Sequence, residues 1–235
     1  MEKIEKEYKV SSKIYYNNRL KKSLFHEKLM HPLYVQITFD RIPMTFKSYY
    51  YNLFSKSKYA IRVGKEVFAP DIKDIIKKEE TLIDFIINRN VQSFSLELFI
   101  KEYAYFSRDL LDIMEESFLD YLFTFFHDEG LPFLAHTINE GSSDGKLYDL
   151  VGDMKSAFNP LLYKKLIENS FHFAPPYLPL YSFTEKPKRT LLRCLTVMEW
   201  EQPETKRKFI DYLTQSHPEH DIMEILDKVK NCINQ

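Results

Sequence analysis

Alternation of apolar and polar positions is clearest over Leu33–Phe39 (LYVQITF). Leu33, Val35, Ile37 and Phe39 share one face there, and Tyr34, Gln36 and Thr38 the other. That period of two predicts a strand with one buried side. Asp40-Arg41 reads as a two-residue reversal into Ile42–Lys47 (IPMTFK), where the alternation resumes. Pro43 points to an edge position, because proline has no N–H to donate to a ladder. Residues 8–16 are polar but rich in β-formers and predict a preceding strand. Residues 60–63 (AIRV), ending at Gly64, predict another short one.

Beyond residue 70 the period changes to that of a helix. Pro70-Asp71 opens a segment in which Ile72, Ile75, Ile76, Leu82, Ile83 and Ile86 recur at 3.6-residue spacing. A second helix is expected over Leu96–Phe106. Ser107 is the expected cap of a third, in which Leu111, Met114, Phe118, Tyr121 and Phe125 recur at heptad spacing until Gly130 and Pro132 stop it. The opposite face of that helix, with Asp109, Asp112, Glu115, Glu116 and Asp120, reads as solvated. Residues 139–145 (NEGSSDG) read as a linker, and residues 147–167 as a helix weakened by Pro160. Three prolines are expected to exclude regular helix from residues 174–180 (APPYLPL). Residues 189–200 read as a strand. Two helices are expected to close the chain. The last is expected to have Ser216-His217-Pro218-Glu219 as its capping box and to bury Ile222, Ile225, Leu226, Val229 and Ile233. The expected class is α+β, a small N-terminal antiparallel β-sheet followed by a mainly α-helical remainder. Three regions are expected: a basic β-rich module (1–68), an acidic helical region (69–138) and a mixed, mainly helical region (146–235).

Composition narrows the classes of function. With 235 residues, 44% hydrophobic and 29% charged, the chain has enough apolar material for a core. Two cysteines, Cys194 and Cys232, rule out a disulfide framework or a cysteine-rich zinc module. The longest apolar run is broken by Asp120, and the first ten residues, MEKIEKEYKV, have no apolar signal core. A cytoplasmic protein with no membrane contact is therefore expected.

Charge is uneven although the net is only −1. Residues 1–70 hold 14 lysines and arginines against 6 acidic residues, and residues 71–150 hold 7 against 17. Two surfaces with different partners would produce this, and so would two blocks packed on one another.

Motifs for catalysis are missing or weak. Neither GxxxxGK[ST] nor GxGxxG occurs, and HExxH, GxSxG and CxxC are absent. His217-Pro218-Glu219 matches half of a zinc-deaminase signature, without the P-C-x-x-C that would complete it. Glu204-Thr205-Lys206 has the E-x-K spacing of metal-dependent nucleases, with Asp149 or Asp153 as a distant acid, but Pro203 before it marks a helix start. No catalytic residue, metal site or cofactor is expected.

The basic block holds eight of the sixteen tyrosines within residues 1–60. Lysine and arginine neutralise phosphates with release of counterions, while tyrosine donates to phosphate oxygens or stacks on bases. Tyr15, Tyr16, Arg19, Lys21, Lys22, Arg41, Lys47, Lys56, Lys58 and Arg62 are the candidate nucleic-acid contacts, with Tyr49, Tyr50 and Tyr51 beside them. A small basic β-domain could equally bind an acidic protein.

Residues 24–48 (LFHEKLMHPLYVQITFDRIPMTFKS), after a polar strand, resemble the N-terminal arm-type DNA-binding domain of tyrosine recombinases from Bacteroidetes mobile elements. That family has a strand of form P-[IL]-Y-[VL]-x-[IL]-T before a tight turn, and Pro32-Leu33-Tyr34-Val35-Gln36-Ile37-Thr38 fits it. The similarity spans about residues 8–110. It departs at the turn, where Asp40-Arg41 stands in place of the usual glycine. No paired H-x-x-R and no nucleophile-like context around Tyr212 follow. The resemblance implies DNA recognition without strand cleavage, as in an accessory protein of a mobile element or of a larger nucleic-acid machine. The alternative is a protein–protein interaction subunit of a multi-protein complex, and a helical region engaging another protein or a second copy fits either role.

Overall fold

The structure is a computed structural model whose described residues are 9–185 and 192–234. Among them the chain divides into two compact units: 9–56 with 60–107, and 57–59 with 108–234. As expected, a small N-terminal antiparallel sheet is followed by a mostly helical remainder. The sheet does not stand apart from the first two long helices, because a three-stranded sheet with one apolar face needs a second layer to cover it.

In the first unit, β1 (Ser11–Tyr16), β4 (Leu33–Phe39) and β5 (Ile42–Lys47) form the sheet in the order β1-β4-β5. Antiparallel registers set Tyr15 opposite Tyr34 and Tyr34 opposite Lys47. Asp40 and Arg41 both take positive φ, 47° and 64°, which is the two-residue turn that matches strand twist. Leu33, Val35 and Ile37 are fully buried. Phe46, on the same side of the sheet, packs edge-on against Tyr103 at 4.6 Å. Pro43 lies on the edge strand β5, as its missing N–H requires.

Two features of this unit escape the alternation. Between β1 and β4 the chain makes a second ribbon, β2 (Ser23–Phe25) with β3 (Lys28–Met30). After β5, Ser48 caps a short helix α1 (Tyr49–Phe54) in which Tyr50 and Tyr51 are core residues, so the three tyrosines are not an exposed patch. A further ribbon pairs β6 (Ile61–Val63) with β7 (Glu66–Phe68). Asp71 caps α2 (Ile72–Arg89) by accepting from Lys73 N at 2.9 Å, and Ser95 caps α3 (Leu96–Phe106) through Leu98 N at 3.1 Å. Ile75, Leu82, Ile83 and Ile86 are buried as their period implied.

Glu79, wholly buried on α2, ties this unit together. It accepts from the Ser48 and Tyr103 hydroxyls, and Tyr103 Oη in turn accepts from Tyr49 N at 3.0 Å. Burial raises its carboxyl pKa, and the donated hydrogen bonds offset that only in part.

The second unit is helical around α4 (Leu110–Asp128), whose Leu111, Met114, Phe118, Tyr121 and Phe125 stripe is buried. Its cap is Asp109 and not Ser107, which closes α3 instead. Gly130 at φ 76° ends α4: its N–H returns to His127 O, and Leu131 N to Phe126 O. Around α4 stand α5 (Pro132–Gly141), α6 (Leu147–Ala157), α7 (Pro160–Phe173) and α8 (Tyr177–Thr184), then a single turn α9 (Val197–Trp200), α10 (Pro203–Ser216) and α11 (Ile222–Asn234).

Several expectations fail here, each for a local reason. The single helix over 147–167 is two, because Pro160 starts a new helix at its first position with Asn159 as cap. Residues 174–180 do run into a helix. Pro179 sits in the first turn of α8, where no N–H is needed. In place of a strand over 189–200, the described part holds α9, closed by a capping box between Thr196 and Glu199, and residues 189–191 lie outside the described residues. Ser216 ends α10, and Asp221 accepts from Met223 N and Glu224 N at the start of α11, so Ser216–Glu219 is no capping box. The stripe of α11 itself is buried at Ile225, Val229 and Ile233. No described helix is long and apolar enough to cross a membrane.

Candidate nucleic-acid interface

Strand register decides what the sheet shows outward. Opposite the buried Leu33, Val35 and Ile37, the outer face carries three rows across the strands: Tyr15, Tyr34 and Lys47; Lys13, Gln36 and Thr45; Ser11, Thr38 and Pro43. No carboxylate lies in these rows. Lys13 and Lys47 are exposed, and Tyr15 and Tyr34 are half-buried. The Lys13 ammonium stands 5.6 Å from the Tyr15 ring centre, a cation–π contact two residues apart on one strand. Cations beside aromatic rings, with an amide and hydroxyls between them, form a surface suited to phosphates and base edges.

Of the ten residues expected from the sequence, Tyr15 and Lys47 belong to this face. Tyr16 points to the opposite side by register and is 45% exposed, its hydroxyl pKa raised by partial burial and by Tyr51 and Asp71. Arg19, Lys21 and Lys22 are exposed on the connection between β1 and β2, where Asn17 N bonds Pro32 O at 2.9 Å and prolongs the β1–β4 ladder. Arg41 is exposed at the far end, beyond a seven-residue strand of about 20 Å. Sequence adjacency had grouped it with cations that the fold keeps a strand length away. Lys56 is exposed just past α1. The side chain of Arg62 lies outside the described residues.

Lys58 is a correction. It falls in the second unit, where its ammonium bonds Asp112 at 2.8 Å and also Glu115. Burial alone would lower its pKa, but the two carboxylates more than reverse this and leave it raised. Lys58 therefore presents no outward charge to a phosphate.

The same contact corrects the solvated acidic face of α4. Glu116 and Asp120 are exposed, but Asp109 is wholly buried and Glu115 is 9% exposed. Asp109 accepts from Leu111 N and from Leu195 N, at 3.2 and 2.8 Å. Glu115 accepts from Tyr177 Oη at 2.8 Å and Leu147 N at 3.2 Å besides Lys58. Arg193 is buried over the Tyr181 ring at 4.9 Å, and Lys146 lies 5.3 Å from the ring centre of Tyr59. Burial lowers the Lys146 pKa. This group is an internal polar core, and it answers the choice between two partners and self-packing in favour of self-packing for Lys58.

Lys13, Tyr34 and Gln36 were missed as candidates. Their signal was the alternation itself, which had already placed Tyr34 and Gln36 on the face away from the core. Glu204-Thr205-Lys206 lies on α10, where Glu204 pairs with Lys208 at 2.8 Å. Comparison with protein-family models, with curated proteins and with solved structures returned no match.

Proposed function

We propose that this is a non-catalytic, cytoplasmic protein that binds nucleic acid, DNA in the first place, as an accessory of a mobile element or a larger nucleic-acid machine. The observation that carries this reading is the outer sheet face, with Lys13, Lys47, Tyr15 and Tyr34 and no carboxylate in its three rows. A three-stranded sheet of this width docks in a DNA groove, and the resemblance of residues 24–48 to arm-type DNA-binding domains supports the same mode. Arg19, Lys21, Lys22 and Arg41 extend the positive surface beyond both ends of the strands.

Fluorescence anisotropy with duplex DNA across a salt series tests it. Affinity should fall steeply with salt, by roughly 0.9 logarithmic units per phosphate neutralised for each tenfold rise. Lys13→Glu with Lys47→Glu should cut affinity at least tenfold and reduce the slope by about 2, at a stability change of about 0.5 kcal/mol per site. Binding that is absent at low salt, or indifferent to this pair and to reversal of Arg19, Lys21 and Lys22, overturns the reading.

A protein-interaction role is favoured by a separate observation. Between α5 and α6 lies an apolar groove of about 360 Å³, lined by Leu134, Ile138, Leu150, Met154 and Phe158 among others, with Phe133 of α5 87% exposed. Capture of a protein partner that survives nuclease treatment would favour this role.

A further inference from the structure

The β2–β3 ribbon has two unlike faces. On one, Phe25 is buried and stacks on Tyr51 with ring centres 5.3 Å apart, while His26 Nε2 lies 2.8 Å from Phe54 O, so the ribbon is fastened to α1. On the other, Leu24 and Leu29 stand directly opposite each other, 64% and 66% exposed. A lone exposed leucine is ordinary. Two of them paired across a ribbon whose other face is anchored form a small rigid apolar wedge. His26 holds φ 54° in the two-residue tip, which keeps the ribbon tight.

The surroundings of the wedge are cationic. Lys21, Lys22 and Lys28 are exposed on the ribbon or immediately before it, and Glu27 is the one acidic residue between Asn17 and His31. The ribbon also continues the β1–β4 ladder through Asn17 N–Pro32 O, and the His31 ring braces it 2.9 Å from Leu20 O. It is thus a separate two-stranded arm that leaves the end of the sheet carrying Lys13 and Lys47.

We propose that residues 23–30 are a DNA-bending arm, with Leu24 and Leu29 wedged between base steps from the minor groove and Lys21, Lys22 and Lys28 on the flanking phosphates. This rests on the nucleic-acid reading above. Apolar side chains inserted at a base step unstack it and kink the duplex away from the minor groove, and neighbouring cations hold the bent backbone. A ribbon two strands wide with an aliphatic pair near its tip has the shape for that insertion. Its cationic surroundings distinguish it from a patch made for an apolar protein.

The test uses the full chain and a duplex of about 30 base pairs with a central TpA step and a fluorophore at each end. Binding and bending are read together, by anisotropy and by resonance energy transfer. The expected result is a rise in transfer equivalent to a bend of roughly 20–90° on binding. Leu24→Thr with Leu29→Thr should bind within about tenfold of the parent, because its phosphate contacts are intact, and leave the duplex straight. Leu24→Met with Leu29→Met should keep the bend. Binding without a bend, or a threonine variant that still bends the duplex, overturns the arm and leaves the binding reading standing. No binding at low salt overturns both.

Discussion

In the sheet of the first unit, Lys13, Tyr15, Tyr34 and Lys47 look outward on a face without a carboxylate. In the helical unit, Lys58, Arg193, Tyr59, Tyr177 and Tyr181 gather around Asp109, Asp112 and Glu115. The residue types are the same and their roles are opposite. A cation on a strand with one buried side is held out by the period of two and finds only solvent-facing neighbours. A cation with carboxylates inside a helical layer is held in, because their mutual attraction and hydrogen bonds offset the cost of desolvating them. Local net charge therefore says where basic residues are dense, and burial says which of them remain available to a partner.

That contrast breaks most visibly at Glu115. Glu115→Ala would leave Lys58 with Asp112 as its one carboxylate partner and strand the Tyr177 hydroxyl and the Leu147 N–H, and should cost about 3 kcal/mol of stability, seen in chemical unfolding. The Lys13 and Lys47 substitutions should hardly move the same unfolding curve. A Glu115→Ala protein as stable as the parent would mean that the acidic residues of α4 are solvated after all.

A finer contrast is between carboxylates. Glu115 has a cation beside it, whereas the hydrogen bonds to Glu79 come from the uncharged Ser48 and Tyr103 hydroxyls and a backbone N–H. Its folded pKa lies above the ordinary carboxyl value of 4.5, so folding favours the protonated form relative to the unfolded chain. The corresponding stability is complete below that value and is lost as pH rises through the folded pKa. Stability of the parent relative to Glu79→Gln should therefore decline as pH rises from about 4. Paired urea titrations over that range check it, and a flat difference would show that the hydrogen bonds fully offset burial.

The smallest effect is expected at the hairpin tip. Arg41 at φ 64° occupies a position that suits glycine, and Arg41→Gly should raise stability by up to about 1 kcal/mol. If Arg41 also touches phosphate, the same change should reduce DNA affinity and the salt slope by about 1. Thermal melting and anisotropy read the two separately.

Much of the fold was legible because it is periodic. The strands around Asp40-Arg41 and the helices over Ile72–Arg89 and Leu96–Phe106 lie where their apolar spacing places them. The ribbon at Ser23–Phe25 was not, since three-residue strands are too short to show alternation. α1 was hidden by its own composition: Tyr50 and Tyr51 looked like recognition residues and are core. Pro179 misled in the opposite direction, because proline excludes helix interiors but is accommodated in a first turn.

By itself the sequence determined the α+β class, the central strand with its buried and open faces, the tight reversal after it and the buried stripes of the long helices. These depend on contacts between near neighbours along the chain, and short-range sterics and hydrophobic periodicity specify them. Only the tertiary structure decided that Lys58 is bound to Asp112 and Glu115 while Lys13 and Lys47 are exposed, that Arg41 and Lys22 lie at opposite ends of a strand, and that Leu24 and Leu29 meet across a ribbon. Each of those depends on which distant segment supplies the neighbour, and a side chain's charge or polarity cannot reveal its partner until the chain has folded.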